Sequence, residues 1–357
     1  MIRSVAGSAS DNLGTLNPIP APISNPILDL EGLLGVSLPS DQLTFHCVGD
    51  SGGSDTQSIE AVAEAMEGDA KLGIDAKFFF HLGDVVYGAN KDQEYLDRFY
   101  RPYDAYPGPI IAIPGNHDGE TKASTDPTSL AAFWANFCSR EAQLPVDVGQ
   151  TGMARKTMTQ PGVYFLARCP LMDLIALYSN TGESAGTLSD GHDDQQQIEF
   201  LGSALAAVAK DRAAGQRRAL LLATHHPPFS SSGHSGSFAM LDQIDTACDA
   251  AGIYPDIVLS GHAHNYQRYT RTFSFGGGSI SVPFLVAGTG GYGLQAIGAP
   301  LGSTHEVERG SVVYNNAVKS HGYLLISVTP GQITVTMRTV TPDGTTADFD
   351  TVTVSLS

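Results

Sequence analysis

Cysteine is scarce in this 357-residue chain, and no two cysteines form a CxxC pair. Cys47, Cys138, Cys169 and Cys248 therefore make neither a zinc-ribbon nor a thioredoxin-like motif. Cys47 and Cys169 lie in or beside apolar runs, which reads as buried free thiols; a disulfide between two of the four stays open. Basic residues are few as well: 20 Lys and Arg stand against 37 Asp and Glu, a net charge of −17. That balance excludes a nucleic-acid backbone as the main partner, because phosphate binding along a duplex needs basic residues in excess. No apolar run approaches the roughly 18 residues of a membrane span. Pro18, Pro20, Pro22 and Pro26 interrupt the N-terminal stretch, so neither a signal peptide nor a membrane contact is expected from these residues. A cytoplasmic location is the first reading; a periplasmic or secreted one stays open if a signal lies outside the sequence given. The single tryptophan, Trp134, clusters with Phe133 and Phe137 and reads as helix core, not as a binding platform.

What is present is a regular alternation. Residues 1–40 read as an extended, Pro-rich arm, and residues 41–357 as one catalytic domain. Leu43–Val48, Lys77–Leu82, Ile110–Ile113, Val163–Ala167, Leu174–Tyr178, Ala219–Ala223 and Ile257–Leu259 are short apolar strand candidates. Ser58–Glu67, Gln93–Tyr100, Asp194–Lys210 and Ser237–Ala251 carry helical patterns between them; in the third, Ile198, Leu201, Leu205 and Val208 share a face. From about residue 270 the chain turns strand-rich, with Val282–Ala287, Gly322–Val328, Ile333–Arg338 and Phe349–Val354 as candidates. The fold expected is α/β, a four-layer α+β-type sandwich of two mixed sheets packed face to face with helices outside.

Five of these strands end in residues that bind metals: Asp50; Asp84 with Tyr87; Asn116 with His117; His225; and His262 with His264. Loops at the carboxyl ends of strands in an open α/β sheet share one edge, so residues distant in sequence can converge there. Gly49, Gly83, Gly115 and Gly261 precede four of the groups and are read as sharp turns that bring the chain close to an ion. Each item alone is weak: a lone Gly-Asp is common, and a lone His-x-His is more often strand surface. Their occurrence in order, each directly after an apolar strand, points to metal chemistry. An acidic chain acting on a phosphate also needs a local positive source, which bound ions supply.

Asp50-Ser-Gly52, Gly83-Asp84-Val-Val-Tyr87, Gly115-Asn116-His117-Asp118, the His225 block and Gly261-His262-Ala-His264 together resemble the signature blocks of the calcineurin-like metallophosphoesterases. Tyr87, three residues after Asp84, resembles the purple acid phosphatase branch. Asp50 falls too early to leave room for the long N-terminal β-sandwich of the plant members, so the small single-domain form is expected. The resemblance implies two ions bridged by Asp84. Asp50, Tyr87 and His264 would complete one site, and Asn116, His225 and His262 the other. Tyrosinate is a hard anion with an ordinary pKa near 10, which suits Fe(III); two imidazoles and an amide oxygen suit a divalent ion, Fe, Zn or Mn. The implied activity is acid-phosphatase-like hydrolysis of small phosphomonoesters by a metal-bound hydroxide, with His117 and His234 assisting as catalytic and substrate-binding groups. His226 is read as either supporting the ligands from behind or facing substrate, with His225 the ligand; a register error of one would exchange their roles. His234 lies in a Ser/Gly-rich loop and also reads as plain exposed surface. His46 and His81 are read as packed within strands, and His192, His305 and His321 as loop residues.

Other readings stay open. One is a phosphodiesterase or nucleotide hydrolase on the same fold. Another is a metal-holding protein with little hydrolytic activity, and a third an adhesive or carbohydrate-binding β protein, which leaves the five blocks unexplained.

Overall fold

The structure, a computed structural model, describes residues 19–88, 92–120, 129–181, 185–189, 195–298 and 300–356. The first 18 residues of the expected arm, and with them Pro18, lie outside these, as do His192 and Asp194. Among the described residues fifteen strands run in chain order: β1 (Ile27–Asp29), β2 (Leu43–Val48), β3 (Ala76–His81), β4 (Ile110–Ala112), β5 (Phe165–Arg168), β6 (Met172–Ala176), β7 (Ala219–Ala223), β8 (Ile257–Ser260), β9 (Tyr266–Phe275), β10 (Gly278–Ala287), β11 (Thr304–Glu306), β12 (Ser311–Val318), β13 (His321–Val328), β14 (Gln332–Val340) and β15 (Thr346–Ser355). They form two mixed sheets, ordered β1-β5-β6-β7-β8-β10-β9-β12-β11 and β15-β14-β13-β2-β3-β4.

The period-2 alternation of strand side chains builds the layers. In β3, Phe78 and Phe80 enter one core with Phe45, Leu174, Leu221, Leu259, Leu285 and Ile326, side chains from both sheets. Phe79, between them, enters a second core on the outer faces. There the sheets meet α1 (Thr56–Gly68), through Ile59, Val62 and Met66. They also meet α2 (Gln195–Ala213), through Leu201, Leu205 and Val208, and α3 (Phe238–Ala251), through Leu241 and Ile244. This is the expected face-to-face sandwich with helices outside. Gln197 is the one polar residue on the buried face of α2; its amide bonds the backbone of Tyr178 and Leu188, tying that helix to the loop after β6. Phe133 and Phe137 are buried and Trp134 packs against them, so the aromatic cluster is core.

Several elements differ from expectation. Part of the segment expected as an arm is a sheet strand: β1 pairs in parallel with β5. β9 was hidden by its charged and polar residues. Tyr269, Arg271 and Phe273 all point inward, and Arg271 is buried because it pairs with Asp245 at 2.7 and 2.8 Å. A buried, fully paired arginine reads as surface in a sequence pattern. β11 and β12 extend that sheet, and they place His305 in a strand; His321 opens β13, so neither is a loop residue. The four cysteines are buried free thiols. Among the described residues no helix is long and apolar enough to cross a membrane.

Candidate metal centre

β2, β3, β4, β7 and β8 end at one edge of the sandwich, and their following loops carry the predicted residues. Asp50, Asp84 and His262 each adopt a left-handed backbone, with φ of 60°, 53° and 69°. A non-glycine residue there costs on the order of 1 kcal/mol or more, and such outliers gather at functional sites. The preceding glycines were expected to supply the turn. Of the four, only Gly83 has a positive φ; after Gly49, Gly83 and Gly261 it is Asp50, Asp84 and His262 that take the strained conformation, while Asn116 after Gly115 keeps a right-handed helical backbone at φ −72°. The glycine then serves close approach: a Cβ on Gly115 would lie 2.1 Å from Asp84 Oδ1.

Two groups of side chains result. In the first, the Tyr87 hydroxyl lies 3.1 Å from Asp50 Oδ1 and 3.2 Å from His264 Nε2, and His264 Nε2 lies 3.4 Å from the same carboxylate oxygen. In the second, His225 Nε2 lies 3.1 Å from Asn116 Oδ1 and 3.4 Å from Asp84 Oδ2. The donor atoms of Asp84, His225 and His262 fall within 4.8 Å of one another. Backbone bonds knit the groups together: His117 N–H donates to Asp84 Oδ1 at 2.9 Å, and His262 N–H to Asp50 Oδ2 at 2.8 Å.

Imidazole orientation is set by the far ring nitrogen. His225 Nδ1 donates to the Leu82 carbonyl at 2.8 Å and His264 Nδ1 to the Gly293 carbonyl at 3.2 Å, so each turns Nε2 inward. Of the adjacent pair, His225 faces Asp84 and Asn116. His226 instead bonds Ser179 Oγ at 2.9 Å, and its buried Nε2 has no hydrogen-bond partner. Its ring lies 4.3 Å from that of His262. His234 is half-buried, and its ring lies 4.1 Å from that of His262 and 5.6 Å from that of His264. His117 is partly exposed; its Nδ1 lies 3.0 Å from the buried carboxylate of Glu120.

The protonation pattern is that of a site built for cations. Burial would lower His225, but the Asp84 carboxylate beside it raises it to about 9. Burial would raise Asp84, yet the charges of His225 and His117 and its hydrogen bonds hold it far below the usual carboxylate range. Burial, and then Asp50 and Asp84, push the Tyr87 phenol well above 10. His262 and His226 are held neutral by burial and by their histidine neighbours. His262 Nε2 is buried without a hydrogen-bond partner, and Asp84 Oδ2 has only the 3.4 Å ion pair with His225 Nε2. Buried polar atoms are rarely left so poorly partnered, and two of them converging beside hard oxygen and imidazole donors fit divalent or trivalent ions.

Some residues here were not singled out from sequence. Asp118, the last residue of the Gly115–Asp118 block, accepts from the backbone N–H of Val85, Val86 and Gly115 at 3.2, 3.1 and 2.8 Å. Glu120 and Ser179 carry no pattern of their own. His81 is packed as expected, and it also bonds Ser51 Oγ at 2.7 Å beneath the site; burial lowers it to about 3. A sixth strand end, Gly288–Gly293 after β10, reaches the site as well. The signal was available: glycines directly after an apolar strand.

This edge is that of a metal-dependent phosphoric ester hydrolase. The sequence profile of the calcineurin-like phosphoesterases matches residues 43–266, more than half of the chain, and the chain belongs to that family. It is 24% identical to human tartrate-resistant acid phosphatase type 5 over 262 residues, covering 68% of this chain and 74% of the human one. Its fold is similar to that of purple acid phosphatase PPD1 from yellow lupin seeds, with a TM-score of 0.58 and 17% identity over 89% of this chain; it spans 54% of the lupin chain. A similar likeness, TM-score 0.57 and 15% identity, covers 89% of this chain and 90% of GAP50, the anchor in the inner membrane complex of Plasmodium.

Proposed function

We propose that the chain hydrolyses small phosphomonoesters in the manner of a purple acid phosphatase, with Fe(III) in one site and divalent Fe, Zn or Mn in the other. Fold likeness does not decide this, since an anchor protein shares the fold to the same degree. The observation that carries the reading is the Tyr87 hydroxyl, 3.1 Å from Asp50 Oδ1 and 3.2 Å from His264 Nε2. A phenol gathered with a carboxylate and an imidazole, and held protonated by its surroundings, is a donor set awaiting a strongly Lewis-acidic cation.

In this reading Asp50, Tyr87 and His264 would hold the iron, Asn116, His225 and His262 would hold the divalent ion, and Asp84 would be shared by both. When bound, the ions supply Lewis acidity that neutralises phosphoryl charge and lowers the pKa of water. The chain's own residues do the rest. His117, partly exposed and clamped at Nδ1 by Glu120, delivers a proton to the departing alcohol oxygen. His234, at the partly exposed rim, and His226, fixed by Ser179, orient phosphoryl oxygens. The buried Asp50, Asp84 and His262 stay in place because backbone N–H groups hold the two carboxylates.

The test is a visible absorption spectrum with metal analysis on the same purified sample, followed by monoester and diester assays. The reading expects a broad green-to-yellow band, close to two metals per chain including iron, and faster monoester turnover. A colourless, active protein holding two Mn or Zn would move it to the wider family and demote Tyr87. A protein that binds no metal and stays inert after metal is added would end the hydrolase reading.

A further inference from the structure

The loop after β10, Gly288–Gln295, contains no Asp, Asn or His, yet it grips the Asp50–Tyr87–His264 group. Tyr292 N–H donates to the Asp50 carbonyl at 2.9 Å, and Gly290 N–H to the Gly49 carbonyl at 2.9 Å. His264 is held from three directions. Its N–H donates to Gln295 Oε1 at 3.0 Å, its carbonyl accepts from Gln295 N–H at 2.8 Å, and its Nδ1 donates to the Gly293 carbonyl at 3.2 Å. A Cβ on Gly288 would come within 2.8 Å of Asp50 Oδ2, so the approach needs glycine. The loop closes with an aromatic contact. The Tyr292 ring stacks on that of Tyr87, centroids 3.9 Å apart and planes 16° from parallel, and meets the His264 ring at 4.7 Å and 64°. Gly53 leaves room for it: a Cβ there would lie 2.9 Å from Tyr292 Cδ2.

We propose that Tyr292 is a positioning residue for this half of the centre, fixing the plane of the Tyr87 phenol and the tilt of the His264 ring. This rests on the reading of Tyr87 as an iron ligand. A phenol held only through its oxygen can rotate about its side-chain bonds, and its ring plane sets how its π lone pair overlaps an ion. A stacked neighbour removes that freedom, and such a pair is favourable beyond its buried area. Tyr292 carries no bond to an ion in this account; it acts through Tyr87 and His264.

The test compares full-length wild type, Tyr292→Leu and Tyr292→Phe, each loaded with Fe(III) and Zn. Visible spectrum, metal stoichiometry and iron loss to a chelator are measured, with thermal unfolding as the control for fold. Leu keeps bulk without a flat face, and Phe keeps the stack without the hydroxyl. Tyr292→Leu is expected to move the visible band or halve its absorbance per iron, and to lose iron about 10-fold faster while retaining Zn, as changes to groups that orient ligands do. Tyr292→Phe is expected to restore the wild-type values. A coloured wild type with a Tyr292→Leu variant of the same band, absorbance per iron and iron retention overturns the positioning role. A Leu variant that loses both ions together with its thermal stability, and a Phe variant that does the same, also overturns it. A wild type that binds iron without colour removes the Tyr87 reading first, and the inference with it.

Discussion

His225 turns its Nε2 to 3.4 Å from Asp84 Oδ2 while its Nδ1 donates to the Leu82 carbonyl. With both ring nitrogens facing acceptors, the ion-free ring is an imidazolium, and its pKa lies near 9 against an ordinary 6.5. A histidine raised on folding contributes stability that is full below 6.5 and disappears as pH climbs through 9. Asp118, pushed up to about 7 by burial and the Asp84 charge, acts in the same direction over the lower part of that window. The chelated protein should therefore melt at lower temperature as pH rises from 6.5 to 9. A metal ion at Nε2 replaces the proton, so the loaded protein should lose this slope and release protons on binding. Scanning fluorimetry across the window with and without chelator reads both. A chelated protein that grows more stable towards pH 9 would remove the His225–Asp84 ion pair from the account.

Much of this centre was legible because its side chains come one strand end at a time. Asp50, Asp84, Asn116, His225 and His262 each follow an apolar run, and a strand end is what a sequence pattern locates best. The helix Gln195–Ala213 and strand Ala219–Ala223 were legible for the same reason, periodic apolar faces. What escaped depends on partners far along the chain. β9 looked polar because the Asp245 that neutralises Arg271 lies in another element. β1 is three residues long and is a strand only because β5 lies beside it. The Gly288–Gln295 loop works through backbone groups and one ring stack, and a search for ligand types passes over it. Which of His225 and His226 faces Asp84 needed geometry, since His226 bonds Ser179.

Asp84 lies 3.4 Å from His225 in one group and its side chain also acts on the Tyr87 phenol of the other, so its loss should affect both ions. Asp84→Ala is expected to retain less than one metal per chain and to lose at least about 10²-fold in turnover, the scale for deleting one electrostatic element of a transition-state site. Metal analysis after gel filtration, paired with a monoester assay, checks this. Two retained ions would show that Asp84 is not shared between the sites.

His117 offers its backbone N–H to Asp84 and its Nδ1 to Glu120, while its ring lies 4.3 Å from that of Tyr87. His117→Ala keeps the N–H that holds Asp84 Oδ1. It should retain both ions and lose about 10² to 10⁴ in kcat, the usual worth of a positioned acid. The loss should be smaller for aryl esters, whose leaving groups need little protonation. Metal loss in this variant, or an equal loss for alkyl and aryl esters, would refute the assigned role.

Asp118 joins two loops by three backbone bonds, from Val85 and Val86 beyond Asp84 and from Gly115 ahead of Asn116. It is fully buried, and the chain spends the cost of a carboxylate beside Asp84 to satisfy three amides. Asp118→Ala leaves those amides without an acceptor, at about 1 kcal/mol or more each. The loss should reach at least about 3 kcal/mol in denaturant unfolding, outside the range of ordinary surface changes. Asp118→Asn keeps one carbonyl oxygen and should recover part of it. Both variants should hold metal more weakly than wild type, because the loops carrying Asp84 and Asn116 are then no longer tied to each other. A change below about 1 kcal/mol for Asp118→Ala would mean that water replaces the carboxylate at all three amides. The register of the two loops would then rest on the His117–Asp84 backbone bond and the β3–β4 pairing beneath it.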